Sequence, residues 1–254
     1  MGATHQPFQH SKNDTVTSII KLCAPNQKDI DCRFFLTQNF SLENSSPLSG
    51  VTFNMFLKEE QEEGENADAY SKLPSEEKET YAKRMMKLLG AVHMVNYMRL
   101  SPGFLEVLSQ APDLLDCQPP LLCNLQSLVL EMWCTRGCLR AIAYLLSISP
   151  DIDTIYLESK QSNLADVGDD WEVGLSFPGM LSHLEYVQIE EVEGCDAEFK
   201  ILRFLKKNAT ILKNVALYFR SCVGSPDRVR QVEQFRDKLR AVPTASSSIE
   251  LVFN

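Results

Sequence analysis

Two acid-x-acid pairs, Asp29 with Asp31 and Asp151 with Asp153, have the spacing at which neighbouring carboxylates share a divalent cation. Ile152, inside the second pair, falls in phase with an apolar pattern described below, so turn chemistry accounts for these acids better than a metal does. The eight cysteines stand at 23, 32, 117, 123, 134, 138, 195 and 222. None form a C-x-x-C, and the closest pair, Cys134 and Cys138 in "CTRGC", lacks a second ligand pair at a zinc-site spacing. His93 and His183 lie beside apolar starting positions of the same pattern and read as structural histidines rather than general bases. Residues 168–170, "GDD" beside Trp171, read as a surface turn. No nucleophile elbow, phosphate loop, zinc-protease pair or dinucleotide fingerprint occurs. The expectation is a non-catalytic chain with no cofactor and no metal.

The elements that would position any site follow from composition and periodicity. The chain has 254 residues, 44% of them hydrophobic and 23% charged, which describes a folded chain long enough for one elongated domain. A net charge of −9 argues against nucleic acid as the partner. No apolar run approaches 18 residues, so no membrane span is expected. Residues 1–15 are polar and lack the basic and apolar regions of a signal peptide, so they are expected to be disordered. Free thiols in a reducing compartment, cytoplasmic or nuclear, follow for the cysteines. Residues 58–80 hold nine acids and three bases and read as a solvated acidic loop.

Five apolar triplets repeat with the spacing 0, +3, +5: Val95/Met98/Leu100, Leu125/Leu128/Leu130, Ile152/Ile155/Leu157, Leu184/Val187/Ile189 and Leu212/Val215/Leu217. Their starts are 30, 27, 32 and 28 residues apart. Weaker copies stand at Leu48/Val51/Phe53 and, in uncertain register, at Ile30 and Cys32. Positions +3 and +5 lie on one side of an extended strand. Between the triplets run helical stripes, in "TRGCLRAIAYLLSI", "DAEFKILRFLKKN" and "SEEKETYAKRMMKLL", the last with Ser75 as a candidate N-cap. The positions between core residues are polar, which sets these strands apart from those of a doubly wound sheet. The plan is that of an α/β leucine-rich-repeat solenoid, with a parallel sheet inside and helices outside.

Such a sheet leaves one face wet, and the spacing assigns its rows. Position +2 gives Tyr97, Ser127, Thr154, Tyr186 and Asn214; position +4 gives Arg99, Val129, Tyr156, Gln188 and Ala216. The next position gives Ser101, Glu131, Glu158, Glu190 and Tyr218. Three glutamates would then stack as like charges at the strand spacing, edged by tyrosines. The candidate concave binding face is therefore Tyr97, Arg99, Glu131, Tyr156, Glu158, Tyr186, Gln188, Glu190 and Tyr218. A protein partner offering a basic segment fits it, since tyrosine is enriched at interfaces.

The C-terminal stretch adds a helix with Ser225 as candidate N-cap and Pro226 at its first position. It carries Val229, Val232, Phe235 and Leu239 on one stripe, with Arg236 among the residues facing water. Then come Pro243, "TASSS" and a last strand at Ile249, Leu251 and Phe253. The run "MLSHLEYVQIEEVEGCDAEFKILRFLKKNATILKNVALYF", a helix, and "AVPTASSSIELVF" resemble the FBD domain that closes the plant F-box/FBD/leucine-rich-repeat proteins. "LCNLQSLVLEMWCTRGCLRAIAYLLSISPDIDTIYLES" and "KLCAPN" resemble the repeats before it, so the resemblance covers residues 16–254. It implies irregular repeats over 16–175 and an FBD segment over 176–254 capping the solenoid. It also implies the substrate-recognition half of an F-box-type ubiquitin-ligase receptor. The F-box itself is missing, both tryptophans (133 and 171) lying inside the repeats, so docking on the ligase adaptor is not expected of this chain. The alternative is a small-molecule receptor or an enzyme with a pocket on the concave repeat surface.

Overall fold

Eight strands form one sheet whose spatial order follows the chain. The computed structural model describes residues 19–22, 27–42, 48–57, 66–111, 121–160, 168, 171, 179–221 and 226–254. Residues 1–15 and the candidate cap Ser225 lie outside these. A two-stranded parallel pair, β1 (Ile19–Leu22) with β3 (Asn39–Leu42), stands beside the main sheet. The main sheet comprises β2 (Asp29–Phe35), β4 (Gly50–Phe56), β5 (Tyr97–Leu100), β6 (Ser127–Trp133), β7 (Thr154–Lys160), β8 (Tyr186–Val192), β9 (Asn214–Phe219) and β10 (Glu250–Phe253). Every pairing in it is parallel, in the order β2-β4-β5-β6-β7-β8-β9-β10. Parallel neighbours need a crossover. Helices stand in several of these crossovers: α1 (Ala67–Ser71) and α2 (Ser75–Ala91) before β5, α3 (Pro102–Leu108) before β6, α4 (Arg136–Ser147) before β7, α5 (Asp196–Asn208) before β9, and α6 (Pro226–Ala241) before β10. Among the described residues no helix is long and apolar enough to cross a membrane.

The 0, +3, +5 triplets are the core. All fifteen of their residues are at most 2% exposed and belong to one cluster with the inner faces of the helices. The earlier strands join in the same phase, Ile30 opposite Val51 and Cys32 opposite Phe53, which settles the register left open by the sequence. At the strand entry, one carbonyl accepts two N–H groups from the next strand's turn, and the pattern recurs. Ser49 O accepts from Asn96 and Tyr97, Asn96 O from Gln126 and Ser127, and Gln126 O from Asp153 and Thr154. Asp153 O accepts from Glu185 and Tyr186, and Glu185 O from Lys213 and Asn214. The residue after each starting position thus links its strand to the next, so Asp153 serves as a turn residue. Asp29 and Asp31 are exposed on β2, where Asp31 accepts a 3.4 Å bond from Asn54. His93 Nδ1 lies 2.9 Å from Gly90 O, a contact within its own turn. His183 Nδ1 lies 3.1 Å from Pro150 O and 3.6 Å from Asp151 Oδ1, a contact between successive strand-entry turns.

Several expectations are corrected. Within the acidic stretch 58–80, residues 67–71 form α1 and residues 75–80 open α2, so its described part is mostly helical rather than a loop. Tyr70 drives this, being 4% exposed with its ring 5.3 Å from that of Trp133. Ser75 is the first residue of α2, not its cap; Pro74 holds the cap position without a side-chain bond. Cys134 and Cys138 part company: Cys138 is fully buried in the first turn of α4, while Cys134 is half-buried beside Cys195. Trp171 is fully buried against Phe204, 5.4 Å between rings, and the Gly168 carbonyl accepts a 2.7 Å bond from Lys200 Nζ. On α6, Val229 is exposed, whereas Arg236 lies over the rings of Phe219 and Phe253 instead of facing water.

Two buried carboxylates tie neighbouring repeats of strand and helix together. Glu106 of α3 accepts from the Thr135 hydroxyl, and Thr135 in turn caps α4 by accepting from Cys138 N at 3.0 Å. Burial pushes the Glu106 carboxyl above the usual carboxylate range, despite the bonds from Thr135 and Cys138. Glu198 of α5, with no exposed surface, accepts from Ser159 Oγ at 2.6 Å and from the backbone N–H groups of Glu193, Gly194 and Cys195 at 2.6–3.2 Å. It closes the start of its own helix and anchors β7 to it. Gly194 enters that turn at φ +75°, where a side chain is strained.

Candidate partner-binding face

The face opposite the core is built by alternation alone. Each strand sends its +3 and +5 side chains inward, so +2, +4 and, where the strand runs that far, +6 point outward. β5 ends at Leu100, and Ser101, expected in the outward row, is instead buried with its hydroxyl on the Met55 backbone. Parallel pairing in constant register stacks them into rows: Tyr97, Ser127, Thr154, Tyr186 and Asn214 in the first, and Arg99, Val129, Tyr156, Gln188 and Ala216 in the second. Glu131, Glu158 and Glu190 form a third. Tyr218 is on β9 beyond them, past a bulge in β8 at which Glu191 adopts φ +56°. Arg220 braces this bulge, pairing with Glu191 at 2.8 Å and Glu193 at 2.6 Å.

Tyr97, Tyr156 and Tyr218 are 36%, 37% and 42% exposed, high values for large aromatic side chains. Tyr156 and Tyr186 pack with tilted rings across β7 and β8, the centroids 5.8 Å apart. The Tyr186 hydroxyl donates to Gln188 Oε1 at 2.7 Å, and Gln188 Nε2 donates to Glu190 Oε1 at 2.8 Å. Tyr186, Gln188 and Glu190 therefore form a continuous polar chain along β8.

The glutamate row is not a bare ladder of like charges. Arg99 Nη2 donates to Glu131 Oε1 at 2.7 Å and Lys160 Nζ to Glu131 Oε2 at 2.5 Å. Both cations also lie 4.0 Å from Glu158. Two cations thus interleave with two carboxylates, and the repulsion expected from the sequence between Glu131 and Glu158 is offset. Lys160 is the residue that the sequence pattern missed. It stands two residues past Glu158 on the same strand face, a period-two position that the short triplet template did not reach. Burial pushes the Glu131 carboxyl up, but its bonds from Lys160 and Arg99 and their charges outweigh this and hold it below the ordinary value. Glu131 belongs to the scaffold of the face, and the acidic groups left to a partner are Glu158 and Glu190.

This gives a pH prediction with a definite sign. A carboxyl whose folded pKa is depressed contributes stability that is present above its unfolded pKa and lost as pH falls through the folded one. Glu131→Gln is expected to lower stability by about 2 kcal/mol at neutral pH, between the exposed and buried ion-pair limits. The gap between the two proteins should close as the pH falls below the ordinary carboxylate range, as denaturant titrations at several pH values would read. A gap that persists unchanged in acid would place the effect in packing rather than charge.

Among the described residues, two clefts lie away from this face. One of about 490 Å³ runs between α5 and α6, lined by Phe199, Arg203 and Lys238 among others. Another of about 440 Å³ opens at the strand entries beside Ser49, Asn96 and Asn124. The open sheet face itself is a stacked surface of side chains. With this geometry established, comparison with known proteins adds one finding. No curated protein and no solved structure matches the chain. The family model described as FBD matches residues 177–217, which take in β8, α5 and the first part of β9, and this supports an FBD-containing protein.

Proposed function

We propose that this chain is a non-catalytic protein-binding module, a leucine-rich-repeat-type solenoid closed by its FBD segment, whose open sheet face receives an extended partner segment carrying basic residues. The observation that carries the reading is the row geometry: exposed tyrosines on β5, β7 and β9 flank Glu158 and Glu190 on adjacent strands in constant register. Aromatic side chains supply contact area at low entropic cost. Carboxylates beside them that are not closed off by a short ion pair select cations and fix the register of a bound chain. The resemblance to F-box-type receptors gives such a face the role of substrate recognition. The reading covers recognition alone and leaves recruitment of a ligase outside it.

A selection from a library of random extended peptides on the full chain tests this. Enriched peptides are expected to carry Lys or Arg beside an aromatic or aliphatic residue. Their affinity should fall more than tenfold in the Glu158→Lys, Glu190→Lys double variant. Glu131 is left intact there because its pairing holds the face together. Enrichment without basic residues, or an affinity indifferent to the double change, would end the proposal.

A further inference from the structure

Two thiols that play no part in the sheet face stand in contact. Cys134 follows β6 in the turn to α4, and Cys195 precedes α5 after β8. Their Sγ atoms are 3.1 Å apart, inside the separation of two sulfur atoms in ordinary van der Waals contact. Both are half-buried, whereas Cys32 and Cys138 are buried. The pair spans β7, whose Ser159 hydroxyl lies 3.3 Å from Cys134 Sγ and donates to Glu198 Oε1 at 2.6 Å.

Cys134, Cys195 and Glu198 lie within 4.8 Å of one another, the grouping from which a metal site is built. The carboxylate argues against that use. Both its oxygens already accept hydrogen bonds, from Ser159, Glu193, Gly194 and Cys195. At the start of α5 the two side chains act reciprocally. Cys195 Sγ accepts from the Glu198 backbone N–H, while the Glu198 carboxylate accepts from the N–H groups of Glu193, Gly194 and Cys195, bonds that do not depend on the Cys195 sulfur.

We propose that Cys134 and Cys195 form a dithiol site of covalent modification that reacts with low-molecular-weight disulfides, of which oxidised glutathione is the type, to give an intramolecular disulfide. The Cys134 thiolate attacks one sulfur of the small disulfide. A mixed disulfide forms on Cys134, and the first thiolate leaves and takes up the proton that Cys134 released. Cys195 then gives up its proton and attacks the Cys134 sulfur. The Cys134–Cys195 bond forms, and the second small thiol leaves carrying that proton. The protein loses two electrons and two protons, and one small disulfide becomes two thiols. Cys195 suits the second role. Its hydrogen bond to Cys134, then its burial, push its thiol up, which leaves the first attack to Cys134, and its Sγ, 3.1 Å from that of Cys134, is placed to attack the mixed disulfide. The product staples the β6–α4 turn to the β8–α5 turn across β7.

Full-length reduced protein equilibrated with oxidised and reduced glutathione at graded ratios tests the proposal by non-reducing peptide mapping. The expected result is a cross-linked peptide pair joining Cys134 to Cys195, reversed by a thiol reductant, with a thermal midpoint raised by about 5 °C or more. In Cys195→Ser the reaction should stop at a glutathione adduct on Cys134. Should that variant fail to fold, phenylarsine oxide, which bridges adjacent thiols, replaces it. One equivalent should bind the reduced wild-type protein, and none should bind after oxidation. Absence of the Cys134–Cys195 cross-link at every ratio overturns the proposal, whether or not the arsenical binds. A cross-link formed mainly through another cysteine overturns it equally.

Discussion

Glu198→Ala is expected to destabilise the fold by about 4 kcal/mol, the scale for removing one partner of a buried, hydrogen-bonded charged group. The carboxylate has no exposed surface and is the acceptor for three backbone N–H groups and the Ser159 hydroxyl. Alanine would remove the common acceptor of the buried Ser159 hydroxyl and of three half-buried backbone N–H groups. Glu198→Gln should recover little, because its amide NH2 turns a donor toward other donors. Ser159→Ala removes one bond and leaves the three at the helix start, so it should cost only about 1 kcal/mol. Urea titration gives the three values directly. Equal losses for Ser159→Ala and Glu198→Ala would show that the strand bond, and not the helix start, carries the effect.

Phe235→Ala is expected to cost about 3–4 kcal/mol, as for other buried aromatic truncations, and to loosen the end of the sheet before the rest. Phe235 is 4% exposed and meets Phe199 at 6.2 Å and Phe219 at 6.1 Å, with Phe219 in turn 6.4 Å from Phe253 of β10. Arg236 and Arg240 lie over the outer rings at 4.9–5.3 Å, adding cation–π attraction to the same cluster. β10 adds parallel to β9, Glu250 opposite Asn214 through Phe253 opposite Leu217, and holds that edge with few residues. Ser246 Oγ donates to Leu212 O at 2.8 Å and Ala245 N to Lys206 O at 2.9 Å, so part of the "ASSS" run is stitched to α5 and the turn before β9. Hydrogen exchange should show β10 amides losing protection in Phe235→Ala while β6 and β7 keep theirs. Uniform loss across the sheet would mean the cluster is part of the global core instead of a local closure.

These two positions show why part of the molecule is legible in the sequence. Strand periodicity is a property of the covalent chain, so the phase of Leu125, Leu128 and Leu130 predicts which side chains face inward wherever the strand pairs. Constant spacing then predicts that Tyr156 lies beside Gln188 and Glu131 beside Glu158. The rows of the open face follow from that spacing alone. β10 is legible as well: after a helix and a proline, an alternating strand joins the sheet edge that precedes it.

What escapes the sequence depends on distance through space. Lys160 neutralises the glutamate row because β7 runs on to it, and the charge balance of a surface is decided by where side-chain tips meet. Arg236 reads as a solvent-facing charge on α6 and instead covers two phenylalanine rings, since its aliphatic stem and planar cation suit that surface. Residues 58–80 read as an acidic loop from composition, but Tyr70 and the stripe of α2 bury enough apolar surface to hold the described part helical.

The repeat, the inward and outward side of each strand, the parallel order and most residues of the open face are written in the chain, because each follows from local periodicity carried along it. The pairing of Glu131, the gathering of a turn and a strand onto the Glu198 carboxylate, and the contact of Cys134 with Cys195 from 61 residues away arise only on folding. Stacking parallel strands brings turns from distant repeats to one rim, and contacts made there have no period for a sequence to display.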